Sequence, residues 1–367
     1  MNNIQKALEN GQSIWLDSIS RDMLRSGELQ KFIDLGVTGV TSNPSIFDKA
    51  LADSDIYDES LLEYAKDGAD RQTIFERLAV DDIRDAADVL RPVYDNASMR
   101  DGFVSIEVSP NLANDTDGTV TEARRLWAAI DRPNVMIKVP GTPAGVPAIK
   151  TLISEGINVN VTLLFSLNAY VAAANAFIEG LSEFAQSGRG IPAAVASVAS
   201  FFVSRVDTSV DTALPDGHEL RGKIGAANAK IAYAKFDELF DRNLDGGGNF
   251  FPLHSTGAQV QRPLWASTGV KNPDYPDTLY VDGLMGPDTV NTVPEATMAA
   301  FSDHGTPGKA LTEGIEEARA QLTALADVGV SIDSITDDLL EAGVAAFADS
   351  YESLLGRIDE KLAALKA

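Results

Sequence analysis

The most informative absence in this sequence is cysteine, which occurs at none of the 367 positions. A chain without cysteine can form no disulfide framework, no thiolate metal site and no cysteine nucleophile. Such a composition is typical of proteins in reducing compartments, so we expect an intracellular protein.

Basic residues are scarce relative to acidic ones. The sequence has 30 Lys and Arg residues against 54 Asp and Glu residues, and its net charge is −24 at pH 7. A chain this acidic repels a phosphate backbone and an anionic bilayer, which argues against nucleic acid and membranes as partners. The sequence lacks the roughly 18 consecutive apolar residues of a membrane span. Its first residues lack a basic region followed by an apolar core, so we expect no signal peptide. We therefore expect a cytoplasmic location.

Histidine is the third scarce residue type. His218, His254 and His304 lie far apart in the sequence and form no metal-ligand pattern. The sequence also lacks a Walker A motif and a G-x-G-x-x-G segment opening a βα unit. We therefore expect neither a metal nor a cofactor.

Short β-branched runs alternate with longer amphipathic stretches, which indicates βαβ units and a parallel sheet. Eight such runs favour a closed (β/α)8 TIM barrel, with a doubly wound sheet as the alternative. Since α/β barrels reach roughly 250 residues or more as one domain, we expect a single barrel domain over residues 1–367 with helical insertions and a C-terminal helical extension. The runs are residues 13–18, 37–42, 103–108, 135–139, 157–164, 193–199, 263–268 and 278–282.

Three long helical patterns lie outside the regular alternation. The first covers residues 70–91 and is predicted to end at Pro92, because proline interrupts a helix. The second covers residues 218–242 and is followed by a glycine-rich loop at 245–248. The third covers residues 334–365 and predicts one helix or a helix pair packed on the barrel.

The alternation of side chains along a strand sorts each run into two faces. In the fifth run we assign Leu163 to the aliphatic face. In the seventh run we assign Leu264 to the aliphatic face and Trp265 to the opposite one, although Trp15 and Trp265 are both expected in the core. In five runs, polar residues lie opposite the aliphatic face and are predicted to share the lumen, namely Asp17, Glu107, Lys138, Asn160, Thr162 and Ser267.

Burying so many polar groups costs several kcal/mol unless they are paired, so this cluster indicates a function rather than stability. A single lysine or glutamate on a strand usually lies on a solvated edge. Lys138, however, is flanked by apolar residues throughout 135–140, which does not fit a solvated strand. Ordinary β-propensity remains an alternative interpretation for Thr162.

A lysine in an apolar cavity has a well-defined chemistry. Desolvation disfavours an ammonium ion, and a free amine attacks a carbonyl to form a Schiff base. The iminium then withdraws electrons from the neighbouring carbon–carbon bond. Carboxylates transfer protons in such a reaction, and amides or hydroxyls hold a polyol. The predicted lumen residues supply all these groups.

Five segments of the sequence resemble the signature segments of the transaldolase family. They are SIWLDS at 13–18, GVTSNPSIF at 39–47, VMIKVP at 135–140, NVNVTLLFS at 158–166 and ASFFVSR at 199–205. The resemblance runs in family order from residue 13 to about residue 282. It is closest to the longer bacterial branch, related to the transaldolase part of fusions with phosphoglucose isomerase.

The resemblance implies a barrel of the class I aldolase type and sugar-phosphate substrates in the non-oxidative pentose phosphate pathway. A dihydroxyacetone unit is expected to move from sedoheptulose 7-phosphate to glyceraldehyde 3-phosphate. By position, Lys138 matches the Schiff-base lysine and Asp17 the acid/base of carbon–carbon cleavage. Glu107 matches the carboxylate that works through a water, which Thr162 holds. The family is often dimeric, so a homodimer is also implied.

The resemblance also implies a set of substrate-binding residues. Asn43, Asn160 and Ser200 match residues that bind the dihydroxyacetone hydroxyls, and Arg205 matches a phosphate-binding arginine. Better-known members have a second phosphate arginine two residues after the equivalent of Ser267, where this sequence has Gly269. Lys271 is the candidate replacement, and a solvated loop lysine is an equally good interpretation of it.

Two other functions remain open from the sequence. One is a Schiff-base aldolase that releases free dihydroxyacetone, against which the chain length and the extra helices argue. The other is a non-catalytic barrel that binds sugar phosphates, because a fold does not fix a function. The presence of Lys138, Asp17 and Glu107 together makes the second alternative the weaker one.

Overall fold

The central feature of the computed structural model, which describes residues 1–52, 54–242, 246 and 248–366, is a closed barrel of eight parallel strands in sequential order. The barrel confirms the predicted fold class and excludes a doubly wound sheet. Asp245 and Gly247 of the predicted glycine-rich loop lie outside the described residues. The strands are β1 (Gln12–Leu16), β2 (Gly39–Val40), β3 (Phe103–Glu107), β4 (Val135–Pro140), β5 (Val159–Leu164), β6 (Ser197–Phe202), β7 (Arg262–Ala266) and β8 (Thr289–Val293).

Helices surround the barrel, and none in the described part of the chain is long and apolar enough to cross a membrane. The helices of the first half are α1 (Asn3–Glu9), α2 (Arg21–Ser26), α3 (Glu28–Leu35), α4 (Pro44–Ala52), α5 (Asp58–Lys66), α6 (Arg71–Asn96), α7 (Thr116–Ile130) and α8 (Gly145–Ser154). Those of the second half are α9 (Leu167–Ser187), α10 (Ser204–Ala213), α11 (Ile224–Leu239), α12 (Phe251–His254), α13 (Leu279–Asp282), α14 (Glu295–His304), α15 (Ile315–Asp327) and α16 (Ile332–Lys366).

Two predicted strands lie elsewhere in the structure. The sixth strand begins at Ser197 rather than at residue 193, because Pro192 starts a short 3-10 turn. The run 278–282, predicted as the eighth strand, is helical from Leu279 onward. Its turn is closed by Thr278, which donates its hydroxyl to Asp282 at 2.7 Å and accepts the Asp282 N–H at 2.9 Å. The eighth strand is a different β-branched run, Thr289–Val293.

The predicted helix ends also differ from the observed ones. Helix α6 continues past Pro92 to Asn96. Pro92 and Asp88, whose carbonyl loses its hydrogen bond, are both exposed residues, so water can replace the missing donor. Helix α11 covers only Ile224–Leu239 of the predicted 218–242. The C-terminal pattern forms one continuous helix, α16, rather than a pair.

Large apolar side chains fill the barrel lumen. Trp15 is fully buried there and belongs to the same cluster as Phe103, Met136 and Val290. Strand β2 has glycine where it passes Trp15, since a Cβ at Gly39 would lie 2.5 Å from the indole ring. The lumen is therefore a packed core that supports the polar groups above it.

Two predicted face assignments are wrong. In β7, Leu264 contributes to the lumen, whereas Trp265 packs outward against Phe201 with ring centroids 6.3 Å apart. In β5, Leu163 has a φ of +59° and belongs to the buried cluster of Phe165 rather than to the outer layer. Strict alternation requires an extended backbone, and a left-handed residue breaks it.

Helix α16 crosses the end of the barrel at which the strands finish. It contacts α4, α5, α6, α10 and the last part of β5, which lie at or near that end. The helix is 35 residues long and carries buried residues along most of its length. Helix α16 therefore covers this end of the barrel, and we call it the roof. The eight βα units do not supply such a cover.

Candidate active site

The predicted site residues meet at the carboxyl ends of the strands, where (β/α)8 barrels carry their active sites. Asp17 directly follows β1, and Glu107 is the last residue of β3. Lys138 lies within β4, Arg205 lies in the first turn of α10, and Ser267 directly follows β7. With Asn160 and Thr162 of β5 and Asn43 between β2 and α4, seven βα units contribute to one site.

A buried ion pair joins the two central charged groups. Glu107 and Lys138 are register partners on β3 and β4, and Lys138 Nζ lies 3.5 Å from Glu107 Oε2. The side chain of Lys138 is only 7% exposed, and that of Glu107 is only 4% exposed. The Lys138 ammonium also donates to the backbone oxygen of Ser42 at 3.3 Å.

Burial around the Glu107 carboxyl group makes it a weaker acid than an exposed glutamate. Burial raises the pKa of Glu107, and the positive charge of Lys138 opposes that rise without cancelling it. Neither Glu107 oxygen has a hydrogen-bond donor among the described residues, and the same is true of the fully buried hydroxyl of Thr162. These groups retain hydrogen-bonding capacity for a water or a substrate.

A chain of hydrogen bonds fixes the amide beside the lysine. Lys138 and Asn160 are register partners on β4 and β5. Asn160 donates from Nδ2 to the Ser105 hydroxyl at 3.0 Å and accepts the Ser200 hydroxyl on Oδ1 at 2.7 Å. Because both ends of the amide are bonded, the Asn160 side chain has a fixed orientation.

Asp17 follows β1, which is separated from the β3 strand of Glu107 by β2 alone. Its backbone N–H donates to Val293 at 2.9 Å, which fixes the chain as it leaves β1. Its carboxylate accepts the Thr41 hydroxyl at 2.8 Å, and the Thr41 hydroxyl also lies 2.7 Å from that of Thr292. The carboxylate is thus oriented by β2 and β8 while one side stays open to the cavity.

Most of the predicted site residues line one cavity of about 170 Å³. Asn43, whose Oδ1 accepts the Ile46 N–H at 3.0 Å, reaches it from the start of α4. Glu107 instead lines a second cavity of about 30 Å³, whose wall does not include Lys138, and Asn160 lines neither cavity. The predicted residues that line the larger cavity are Asp17, Asn43, Lys138, Thr162, Ser200, Arg205, Ser267 and Lys271.

Cations flank one end of the larger cavity. Arg205 is half-buried over the ring of Phe202, with 5.3 Å between its Cζ and the ring centroid. Burial lowers the pKa of Arg205, which Asp17 partly offsets, and a guanidinium remains charged all the same. Lys271 is exposed and reaches the same cavity beside Gly269.

Ser267 reaches the cavity through an unusual backbone conformation. Its φ is +54°, and its hydroxyl lies 2.9 Å from that of Ser204. Its carbonyl accepts the Ser204 N–H at 3.0 Å, so the turn after β7 is tied to the start of α10. Strand alternation predicted that Ser267 lies at the site. In the structure Ser267 does reach the site, but through a left-handed backbone conformation rather than through alternation.

Several lining residues were not predicted as part of the site. Thr292 was missed because the eighth strand was assigned to other residues, although its β-branched run is visible in the sequence. Thr41 lies in the GVTSNPSIF segment, which carries part of the family resemblance. Nothing in that segment indicates the hydrogen bond between Thr41 and Asp17. Phe347 comes from α16, and its ring centroid lies 5.5 Å from Lys138 Nζ. No local pattern predicts that contact, because it depends on how α16 packs.

Comparisons with known proteins point to one family over nearly the whole chain. The family model described as Transaldolase/Fructose-6-phosphate aldolase matches residues 14–358. A transaldolase of Thiobacillus denitrificans is 50% identical over 95% of this chain and 97% of its own length. A transaldolase of Thermobifida fusca is 49% identical over 98% of each chain. A Nostoc protein named Transaldolase 2 is 43% identical over 99% of this chain and 98% of its own.

Proposed function

The chain belongs to the transaldolase/fructose-6-phosphate aldolase family and is an enzyme, a transferase of the transaldolase type, and we propose that it works through a Schiff base on Lys138. A dihydroxyacetone unit moves from sedoheptulose 7-phosphate to glyceraldehyde 3-phosphate, which gives erythrose 4-phosphate and fructose 6-phosphate in the non-oxidative pentose phosphate pathway. The observation that carries the proposal is the buried Lys138 amine, 3.5 Å from Glu107 at the wall of a cavity. Residues 1–367 act together as one catalytic barrel.

The first step forms the iminium. The free amine of Lys138 attacks the ketose carbonyl, and a proton passes from nitrogen to oxygen to give a carbinolamine. The protonated Glu107 then donates its proton to the carbinolamine hydroxyl, the C–O bond breaks, and water leaves. A water on the Thr162 hydroxyl carries this proton. The raised pKa of Glu107 supports its role as the acid, and the resulting carboxylate pairs with the iminium.

The second step cleaves the sugar. Asp17 removes the proton of the C4 hydroxyl, the C3–C4 bond breaks, and its electrons pass into the iminium to form an enamine. The aldose phosphate leaves as an aldehyde. In the transfer step the enamine carbon attacks the acceptor aldehyde, and Asp17 returns its proton to the new hydroxyl. The hydrogen bond that Asp17 accepts from Thr41 supports this assignment, because it orients the carboxylate toward the cavity.

The polar wall of the cavity supports a polyol substrate. Asn43, Asn160 and Ser200 bind the dihydroxyacetone hydroxyls, Asn160 from behind the wall, where it accepts the Ser200 hydroxyl. Ser267 lies where the chain of the sugar continues toward the cations. Arg205 binds the terminal phosphate and Lys271 adds a second positive charge. An arginine offers a planar pair of donors, whereas a lysine acts as a point charge, so the two contribute unequally.

Reductive trapping tests the covalent step. Fructose 6-phosphate and borohydride are expected to leave a stable adduct on the peptide that contains Lys138, detected by peptide mass mapping. Lys138→Met should remove the adduct and lower kcat by several orders of magnitude while the circular dichroism spectrum stays unchanged. Lys150→Met, at an exposed lysine paired with Glu179 on the outer surface, serves as the matched control. An active protein without an adduct on Lys138 would refute the mechanism.

Release of free dihydroxyacetone is the second candidate reaction, since the matching family model covers aldolases as well as transaldolases. The same barrel and lysine serve both reactions, and only the fate of the enamine differs. An assay for dihydroxyacetone in the absence of an acceptor aldehyde distinguishes them. Transfer predicts slow release without an acceptor and fast turnover once glyceraldehyde 3-phosphate is added.

A further inference from the structure

One side chain over the Lys138 amine comes from the C-terminal helix rather than from a βα unit. Phe347 of α16 lines the larger cavity, is 6% exposed, and has its ring centroid 5.5 Å from Lys138 Nζ. A cation at that distance from the face of an aromatic ring is attracted to it. The contact joins the proposed nucleophile to a helix that the barrel does not otherwise require.

The roof is held in place by close packing. Phe347 belongs to one buried cluster with Leu163, Phe165 and Phe202, and the last two rings are 5.0 Å apart. One turn before Phe347, α16 has Gly343, where a Cβ would lie 3.0 Å from Leu163 Cδ2. Glycine at that position lets the helix approach β5, so Phe347 reaches the cavity with little freedom to move.

A transferase has a requirement that an aldolase lacks. Its enamine must persist until the acceptor aldehyde arrives. Release requires the enamine carbon to take a proton and the iminium carbon to take the oxygen of water. The C–N bond then breaks, the Lys138 amine is restored and dihydroxyacetone leaves. A side chain that keeps water away from the Lys138 nitrogen slows this release without hindering attack by a bound aldehyde.

We propose that Phe347 determines the partition between transfer and release by excluding water from the Lys138 adduct. The inference rests on the proposed function and adds to it a specificity-determining residue from α16. The ring covers the nitrogen on the side of the roof, whereas Asp17, Arg205 and Lys271 line the part of the cavity that is left for an acceptor. Volume at position 347, rather than hydrogen bonding, is the property that matters, because phenylalanine has no polar group.

The test measures the ratio of dihydroxyacetone release to transfer. Phe347→Ala opens the roof and is expected to raise this ratio about tenfold, which corresponds to about 1.4 kcal/mol between the two barriers. Phe347→Leu keeps most of the volume and is expected to stay within about twofold of the wild type. If the alanine variant does not fold, Phe347→Val opens the roof less and should raise the ratio by an intermediate amount.

Leu354→Ala is the matched control. Leu354 is a fully buried residue of the same helix that packs in the outer core and does not line the cavity. Its truncation should lower the unfolding midpoint and leave the ratio unchanged, which separates loss of the roof from a general loosening of α16. A ratio that rises equally in Leu354→Ala and Phe347→Ala would overturn the inference.

The inference and the proposed function fail in different ways. If the wild type transfers, but the alanine and valine variants keep its ratio, the inference is overturned and the proposed function stands. If the wild type releases dihydroxyacetone as fast as it transfers, the transferase mechanism and the role of Phe347 both fail. If the adduct does not form on Lys138, the proposed function itself is refuted.

Discussion

The two cations at the end of the cavity differ in exposure and in chemistry. Arg205 is half-buried against Phe202, where a charge–charge contact is weakly screened. Lys271 is exposed and has no ion-pair partner among the described residues, so solvent screens it strongly. A phosphate held by both would therefore depend mainly on the arginine.

Substitution of Arg205 and Lys271 tests whether the arginine contributes more to phosphate binding than the lysine does. Arg205→Ala should raise KM for fructose 6-phosphate about 10- to 150-fold, because a hydrogen bond to a charged group contributes about 1.5–3 kcal/mol. Lys271→Ala should raise it only about threefold, as expected of an exposed charge. Steady-state kinetics with unphosphorylated fructose is the control, and neither variant should change KM there. An unchanged KM in Lys271→Ala would remove that residue from the site.

At the scale of elements, one buried carboxyl group ties together three helices. Asp207 of α10 accepts the Gly225 N–H of α11 at 2.7 Å and the Tyr280 hydroxyl of α13 at 2.8 Å. Burial raises the pKa of Asp207 to about 6, and these hydrogen bonds limit the rise. Since the unfolded value is about 3.9, the folded chain binds the proton more tightly. The stability that Asp207 contributes is therefore full below about pH 4 and is lost as the pH rises through 6.

Asp207→Asn removes this titration. The free energy of unfolding of the variant, relative to the wild type, should rise by about 1.4 kcal/mol between pH 5 and pH 8, because the wild type alone loses its proton in that range. Urea unfolding at several pH values measures the difference. Tyr280→Phe removes a hydrogen bond that stabilises the carboxylate, so it should steepen the loss of stability with pH. A constant difference across the range would show that Asp207 is ionised throughout.

The strands and helices also show which features of the fold could be predicted from the sequence and which could not. Alternation placed Glu107, Lys138 and Asn160 correctly because β3, β4 and β5 are extended and buried on both faces. It failed at Leu163, whose left-handed backbone ends the alternation. It also failed at residues 278–282, where a side-chain hydrogen bond from Thr278 closes a helical turn despite the β-branched composition. Local propensity is weak where a tertiary or side-chain bond competes with it.

The role of Phe347 lay beyond any local pattern. The sequence indicated that residues 334–365 were helical and amphipathic, and the helix exists. Its contact with Lys138 joins residues far apart in the chain and depends on the packing of Gly343 against Leu163. By contrast, Asn43 and Arg205 were predicted at the site because the family resemblance supplied the long-range information, whereas Asp17 had also been predicted by strand alternation.

At the scale of the whole molecule, the net charge of −24 has to be reconciled with anionic substrates. Three of the side chains that line the larger cavity are basic, and Asp17 is the acidic one. The rim is therefore locally positive within a negative molecule. Most ion pairs in the described residues are exposed, such as Arg71 with Glu352, and exposed pairs contribute little. Repulsion among the acidic residues is then the larger electrostatic effect on stability.

Repulsion among the acidic residues and attraction of substrate by the positive rim are both screened by salt. Added salt should therefore have opposite effects on stability and on substrate binding. Raising sodium chloride from 0.01 M to about 0.5 M shortens the Debye length severalfold, from roughly 30 Å, and screens the repulsion. The urea midpoint should rise, whereas a protein that depends on surface ion pairs would lose stability. KM for fructose 6-phosphate should rise over the same range because the positive rim is screened as well. Arg205→Ala should show a smaller rise in KM and the same gain in stability, which assigns the two effects to different parts of the molecule. A urea midpoint that falls with salt would mean that the ion pairs outweigh the excess of negative charge.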